Sequence, residues 1–197
     1  MLLSGSRLIG TPIMGLQTGT KLAVTKLPVI DPSNLKIMAY EVDGPLLSER
    51  PAYIRIADVR ELSDVGMIID SNDEFIGAND VISLQKILDL NFQLVGLNVI
   101  DELKHKLGKV NDYSVDTDSF VIQQLNVNRG LIKSLSDTEL LVHRSQIVEI
   151  NDHSITIRAA AKKLEAIEKP TQVVYMNPFR QNAPQTNNRK QKLVKSQ

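Results

Sequence analysis

Leu8-Ile9-Gly10-Thr11-Pro12-Ile13 returns later in the chain as Leu94-Val95-Gly96-Leu97-Asn98-Val99. The stretch after each copy returns as well. Leu8, Gly10 and Ile13 match Leu94, Gly96 and Val99. After a one-residue slip, Leu22, Ala23, Ile30 and Asp31 match Leu107, Gly108, Val115 and Asp116. Leu35, Ile37, Tyr40 and Val42 then match Phe120, Ile122, Leu125 and Val127, and further on Val59 and Leu62 match Ile147 and Ile150. Identity is low, but the order and the apolar pattern persist. The chain therefore reads as two related modules joined end to end.

The local signals in both modules are β. Ile54-Arg55-Ile56 and Ser154-Ile155-Thr156-Ile157 alternate, as half-buried strands do. Asp31-Pro32-Ser33-Asn34 and Asp116-Thr117-Asp118-Ser119 are turn sequences at the same place in both copies. In the next strand the apolar positions are 35 and 37, then 40 and 42; copy two repeats this at 120, 122, 125 and 127. A period of two would not change phase there, so a bulge is expected near Met38-Ala39 and Gln123-Gln124. Gly10 and Gly96 recur together, which predicts a backbone requirement such as positive φ or a tight bend.

Two helices are expected. Asn79-Asp80 offers an N-cap before the stripe Val81, Leu84, Ile87, Leu88. The second covers about residues 158–168, and Pro170 stops it. Gln172–Met176 has the composition of a short strand. The predicted organisation is a first β-module over 1–78, a connecting helix over 79–91 and a second β-module over 92–157. A C-terminal helix and short strand over 158–176 and a disordered basic tail over 177–197 complete it.

The 197 residues contain no Cys and no Trp, and aromatics make up only 4%. The core must be aliphatic, and disulfides, thiolate catalysis and Cys-ligated zinc are excluded. Modules of about 75–85 residues bury a modest fraction of their surface, so the two are expected to pack on each other or on the segment between them. Met1–Arg7 lacks the pattern of a signal peptide, and no apolar run is long enough for a spanning helix. A cytoplasmic protein is the expectation. The net charge of zero hides an asymmetry: all 23 acidic residues lie at or before Glu168, whereas Lys169, Arg180, Arg189, Lys190, Lys192 and Lys195 lie beyond it.

Two modules that open Leu-[Ile/Val]-Gly-x-x-[Ile/Val] and run through an [Ile/Val]-Asp turn to an apolar strand resemble the PRC-barrel family. That family includes the photosynthetic reaction-centre H subunit and the C-terminal domain of the bacterial ribosome-maturation factor of rRNA processing. The resemblance is carried by residues 8–13, 29–42 and 54–62 in copy one and by 94–99, 114–127 and 141–150 in copy two. It implies a mainly β fold of two tandem small six-stranded barrels acting as binding modules, with no shared catalytic site. The maturation factor has a different N-terminal barrel and the H subunit a membrane helix. Neither pattern is found in this sequence, so neither specific role carries over.

No reaction chemistry is spelled out. His105, His143 and His153 lack ligand spacing and read as surface residues. Asp70-Ser71-Asn72-Asp73-Glu74 begins like a calcium loop, but Phe75 and Val81 stand where Gly and Glu are needed. Asp112, Asp116 and Asp118 cluster, yet Asp116 and Asp118 fall in the repeated turn, where a carboxylate bonds its own backbone. Gly10, Gly15 and Gly19 lack a Gly-Lys-Ser/Thr ending and a following helix, so they make no phosphate cradle. No catalytic, cofactor-binding or metal-ligating residue is expected.

The functional expectation is a non-enzymatic adaptor that engages a protein partner through the module faces or the groove between them. The alternative is a ribosome- or RNA-associated maturation factor. In it Arg180, Arg189, Lys190, Lys192 and Lys195 would anchor the tail to an anionic partner. A solubilising tail and a short docking motif at Asn177-Pro178-Phe179-Arg180 are the other readings of that segment.

Overall fold

Alternation and turn chemistry together dictate short antiparallel strands, and the chain is mainly β. In the computed structural model, residues 1–130 and 139–158 are described. The first repeat contributes β2 (Pro12–Gly15), β3 (Thr20–Asp31), β4 (Lys36–Asp43), β5 (Ala52–Arg55), β6 (Glu61–Ser63) and β7 (Gly66–Ile69), with β1 (Leu2–Ser4) ahead of them. Next come β8 (Ile76–Gly77) and the helix α1 (Ile82–Leu88). The second repeat contributes β9 (Asn98–Asp101), β10 (Lys106–Asp116), β11 (Val121–Asn128), β12 (Glu139–His143), β13 (Ile147–Ile150) and β14 (Ser154–Ile157). The duplication is thus six strands matched by six.

Pairing repeats as faithfully as sequence. The parallel pair β2–β7 has its counterpart in β9–β14, and the long hairpin β3–β4 has its counterpart in β10–β11. The expected bulges are present. The ladder steps from Val29↔Ala39 to Ile30↔Ile37 and passes over Met38. It steps from Ser114↔Gln124 to Val115↔Ile122 and passes over Gln123. Each bulge turns the rest of its strand inward, so that Tyr40 with Val42, and Leu125 with Val127, reach the core.

The turns behave as their composition requires. Asp31 Oδ1 accepts from Ser33 N at 2.9 Å, and Asp116 Oδ2 accepts from Ser119 N at 3.3 Å. Gly10 and Gly96 have φ of +77° and +95°. Open space surrounds both α-carbons, so the backbone angle and not crowding requires glycine. Each glycine N–H donates to the neighbouring long strand, Gly10 to Thr25 O and Gly96 to Val110 O, both at 2.8 Å.

The strands of both repeats join into one mixed sheet through the pair Lys36↔Val121, where β4 meets β11. The sheet is not closed into a barrel. Its path runs from β13 to β6, and the outer edge of β5 goes to β8 and not to β6. One apolar core spans both repeats: Leu8, Ile13, Ile37 and Tyr40 share it with Leu94, Val99, Ile122 and Leu125. Residues 1–158 lie within one compact unit.

The connecting helix is shorter than expected, and its N-cap is corrected. Val81 occupies the cap position without a side-chain bond, while Asp80 Oδ2 accepts from Gly77 N at 2.7 Å. Asp80 therefore fastens the turn before the helix. The apolar stripe does pack. Leu84 is buried against Val29, Ala39 and Tyr53, with Val81, Ile87 and Leu88 beside it. Among the described residues only the first repeat has this covered outer face. The positions matching Val29, Ala39 and Tyr53 are Ser114, Gln124 and Leu141, and Leu141 is exposed. The expected helix and strand over 158–176 and the tail over 177–197 lie outside the described residues.

Candidate binding cleft

The two copies of the opening phrase meet. Leu8 and Leu94 point into the core, while Ile9 and Val95 are each 51% exposed and line the same cleft. Leu27, 59% exposed, stands on the rim with them. Three half-exposed aliphatic side chains around one hollow form an apolar surface of the kind that marks binding sites. The cavity is about 570 Å³. Its floor and walls come from Val29 and Ile30 of β3, from Ile87 and Leu88 of α1, and from Phe92 in the linker.

The walls are related by the repeat but differ in chemistry. Leu27 and Pro28 on the first repeat correspond to Asp112 and Tyr113 on the second, and all four line the cleft. Asp112 is held by neutral donors. Ser6 Oγ donates at 2.8 Å, Tyr113 N at 2.8 Å and Ser6 N at 3.2 Å, and Ser4 Oγ also donates. Burial works to raise the Asp112 pKa, but these donors outweigh it and hold the carboxyl below the usual range. The bonds tie the segment Ser4–Ser6 to the second repeat. Gly5 completes the contact: a β-carbon there would lie 2.3 Å from the Tyr113 ring.

Glu41 is the second carboxylate of the cleft, and Lys26 Nζ lies 3.1 Å from its Oε1. Burial raises the pKa of the neighbouring Tyr53, and the Glu41 charge adds to the effect. Among the described residues no Lys, Arg or His lines the cleft.

Of the titratable residues singled out from sequence, Asp112 lines the cleft and the others described are placed elsewhere. His105 Nδ1 lies 2.9 Å from Asp101 Oδ2, at the surface. His143 caps a short turn: its Nδ1 accepts from Ser145 N, and Gln146 Oε1 accepts from His143 N at 2.8 Å. His153 lies in the β13–β14 turn. Asp70, from the calcium-like stretch, takes a two-pronged contact from Arg60, with Nε at 2.9 Å from Oδ1. Asp118 stays exposed. Arg180, Arg189, Lys190, Lys192 and Lys195 lie outside the described residues. Sequence reading missed the role of Asp112. Its one available signal was that it departs from the repeat, standing where copy one has Leu27.

No family model matches the chain, and no curated protein is significantly similar to it. Among the described residues no helix is long and apolar enough to cross a membrane. The fold and the cleft define a duplicated, mainly β protein with an apolar hollow where its repeats meet.

Proposed function

We propose that the chain is a non-enzymatic, cytoplasmic adaptor that takes a protein partner in the cleft between two PRC-like modules. The observation that carries the reading is the apolar rim of Ile9, Leu27 and Val95 around a hollow of about 570 Å³. A chain in water gains nothing for its own fold by presenting three aliphatic side chains to solvent around a cavity; a partner that covers them does gain. The duplication supports the same reading, because the rim draws on both copies of the opening phrase.

The test is site-specific photocrosslinking in the native host. A photoreactive phenylalanine at Val95 is expected to capture a discrete protein. The same residue at Leu103, an exposed position outside the cleft, is expected to capture none. Equal capture from both positions, or none from Val95, would overturn the proposal. Removal of residues 177–197 decides the ribosome- or RNA-associated alternative, which requires a salt-sensitive association lost with that segment.

A further inference from the structure

We infer that the cleft's partner is a peptide segment in which a large apolar side chain stands close to a Lys or Arg. The inference rests on reading the cleft as a partner site and adds the partner's chemistry. Size and lining argue for the apolar part. A hollow of about 570 Å³ walled by Val29, Ile87, Leu88 and Phe92 takes one or two large aliphatic or aromatic side chains. The exposed rim residues extend the apolar surface beyond the hollow, which suits a segment of chain more than a small molecule.

Charge argues for the basic part. Among the described residues the only charged side chains lining the cleft are the carboxylates of Asp112 and Glu41. Glu41 already has Lys26 beside it. Asp112 has no cation within ion-pair distance among the described residues; all its partners are neutral N–H and O–H groups. Those donors occupy both carboxylate oxygens, so the charge persists while direct hydrogen-bonding capacity is largely spent. A guest cation is therefore attracted through space and need not form a tight two-pronged pair. An apolar guest with an acidic neighbour would meet like charge.

The test is selection of a random dodecapeptide phage library on the immobilised full-length protein. Retained peptides are synthesised and measured against Leu27→Ser and Val95→Ser, both surface changes whose folding is checked by circular dichroism. The expected peptides pair an apolar side chain with Lys or Arg within a few positions and bind about tenfold more weakly to either variant. Their affinity falls about fivefold between roughly 0.05 and 0.5 M salt. In the same low-salt buffer, D112N weakens them by a similar factor. Cleft-dependent peptides without basic residues, or with salt-insensitive binding, would overturn the inference and leave the cleft as a partner site. A selection yielding no peptide sensitive to Leu27→Ser or Val95→Ser would overturn both.

Discussion

Leu35 and Phe120 hold the same place in the two repeats, share a φ of +54°, and each lends its carbonyl to the other repeat. Leu35 O accepts from Ile122 N at 2.8 Å, and Phe120 O accepts from Ile37 N at 2.9 Å. The contact is reciprocal, as in a two-fold symmetric dimer interface, but here it lies within one chain. Both side chains are buried, and a bulky residue at positive φ is tolerated only where its surroundings hold it. Truncation to alanine is expected to cost about 2–5 kcal/mol at Leu35 and about 3–5 kcal/mol at Phe120. Because the two meet at one joint, the double variant should depart from additivity by about 0.5–3 kcal/mol. Urea melts followed by circular dichroism would measure this, and wild type should unfold in a single transition. Additive costs, or separate transitions for the two halves, would contradict the shared core.

Gly10 and Gly96 test a different link, from backbone angle to stability. Nothing crowds either position, so substitution costs only conformational strain. G10A and G96A should each lose about 1–2 kcal/mol. Gly10→Asn should lose less than Gly10→Ala, since Asn tolerates left-handed backbone better than Ala. Equal costs for Ala and Asn at Gly10 would point to a packing role instead.

The duplication, the turns at Asp31 and Asp116 and the bulges at Met38 and Gln123 were legible because each rests on local chemistry repeated at a fixed interval. The apolar stripe of α1 was legible for the same reason. Its cap was not, because the Asp80 carboxylate that could cap the helix accepts from Gly77 N in the turn before it, leaving Val81 at the cap position. Closure was not legible either: no local signal says whether β5 gives its edge to β6 or to β8. Asp112 stands outside the repeated turn, and in the sequence it is only the first of three neighbouring carboxylates, the other two of which belong to that turn. Its partners, Ser4 and Ser6, lie more than a hundred positions away, and that distance hides them from any local pattern.

The two repeats protect one strand edge in two ways. In the second repeat, β1 covers β10 with Leu3 opposite Val115, and Thr117 N donates to Met1 O at 2.9 Å. In the first repeat no strand among the described residues pairs with the matching edge of β3. Pro28 and Pro32 stand there in place of Tyr113 and Thr117. Proline has no N–H to offer an incoming strand, and it is a common guard of exposed edges. P28T and P32T together restore two donors. The double variant should self-associate with rising concentration in sedimentation velocity runs, while wild type is unchanged over the same range. A double variant that sediments like wild type would mean that α1 and the linker already guard this edge.

Tyr40 and Tyr113 give the pH prediction. Burial pushes both phenols well above their ordinary range, Tyr113 adds to the shift at Tyr40, and the Asp112 charge adds to that at Tyr113. Among the described residues neither hydroxyl has a hydrogen-bond partner. The sign comes from the raised folded pKa. The fold favours the neutral phenol, so the contribution is fully present below the unfolded value of about 10. It is lost as pH rises from there toward the folded value. Folded protein at about pH 11 should therefore show less phenolate absorbance than the same protein in denaturant, out of four tyrosines in the chain. Tyr40→Phe and Tyr113→Phe should each remove part of the late-titrating signal without changing the early part. If every tyrosine of the folded protein titrated together near pH 10, the two phenols would have to be in contact with water, and the core drawn around Tyr40 and Tyr113 would be wrong.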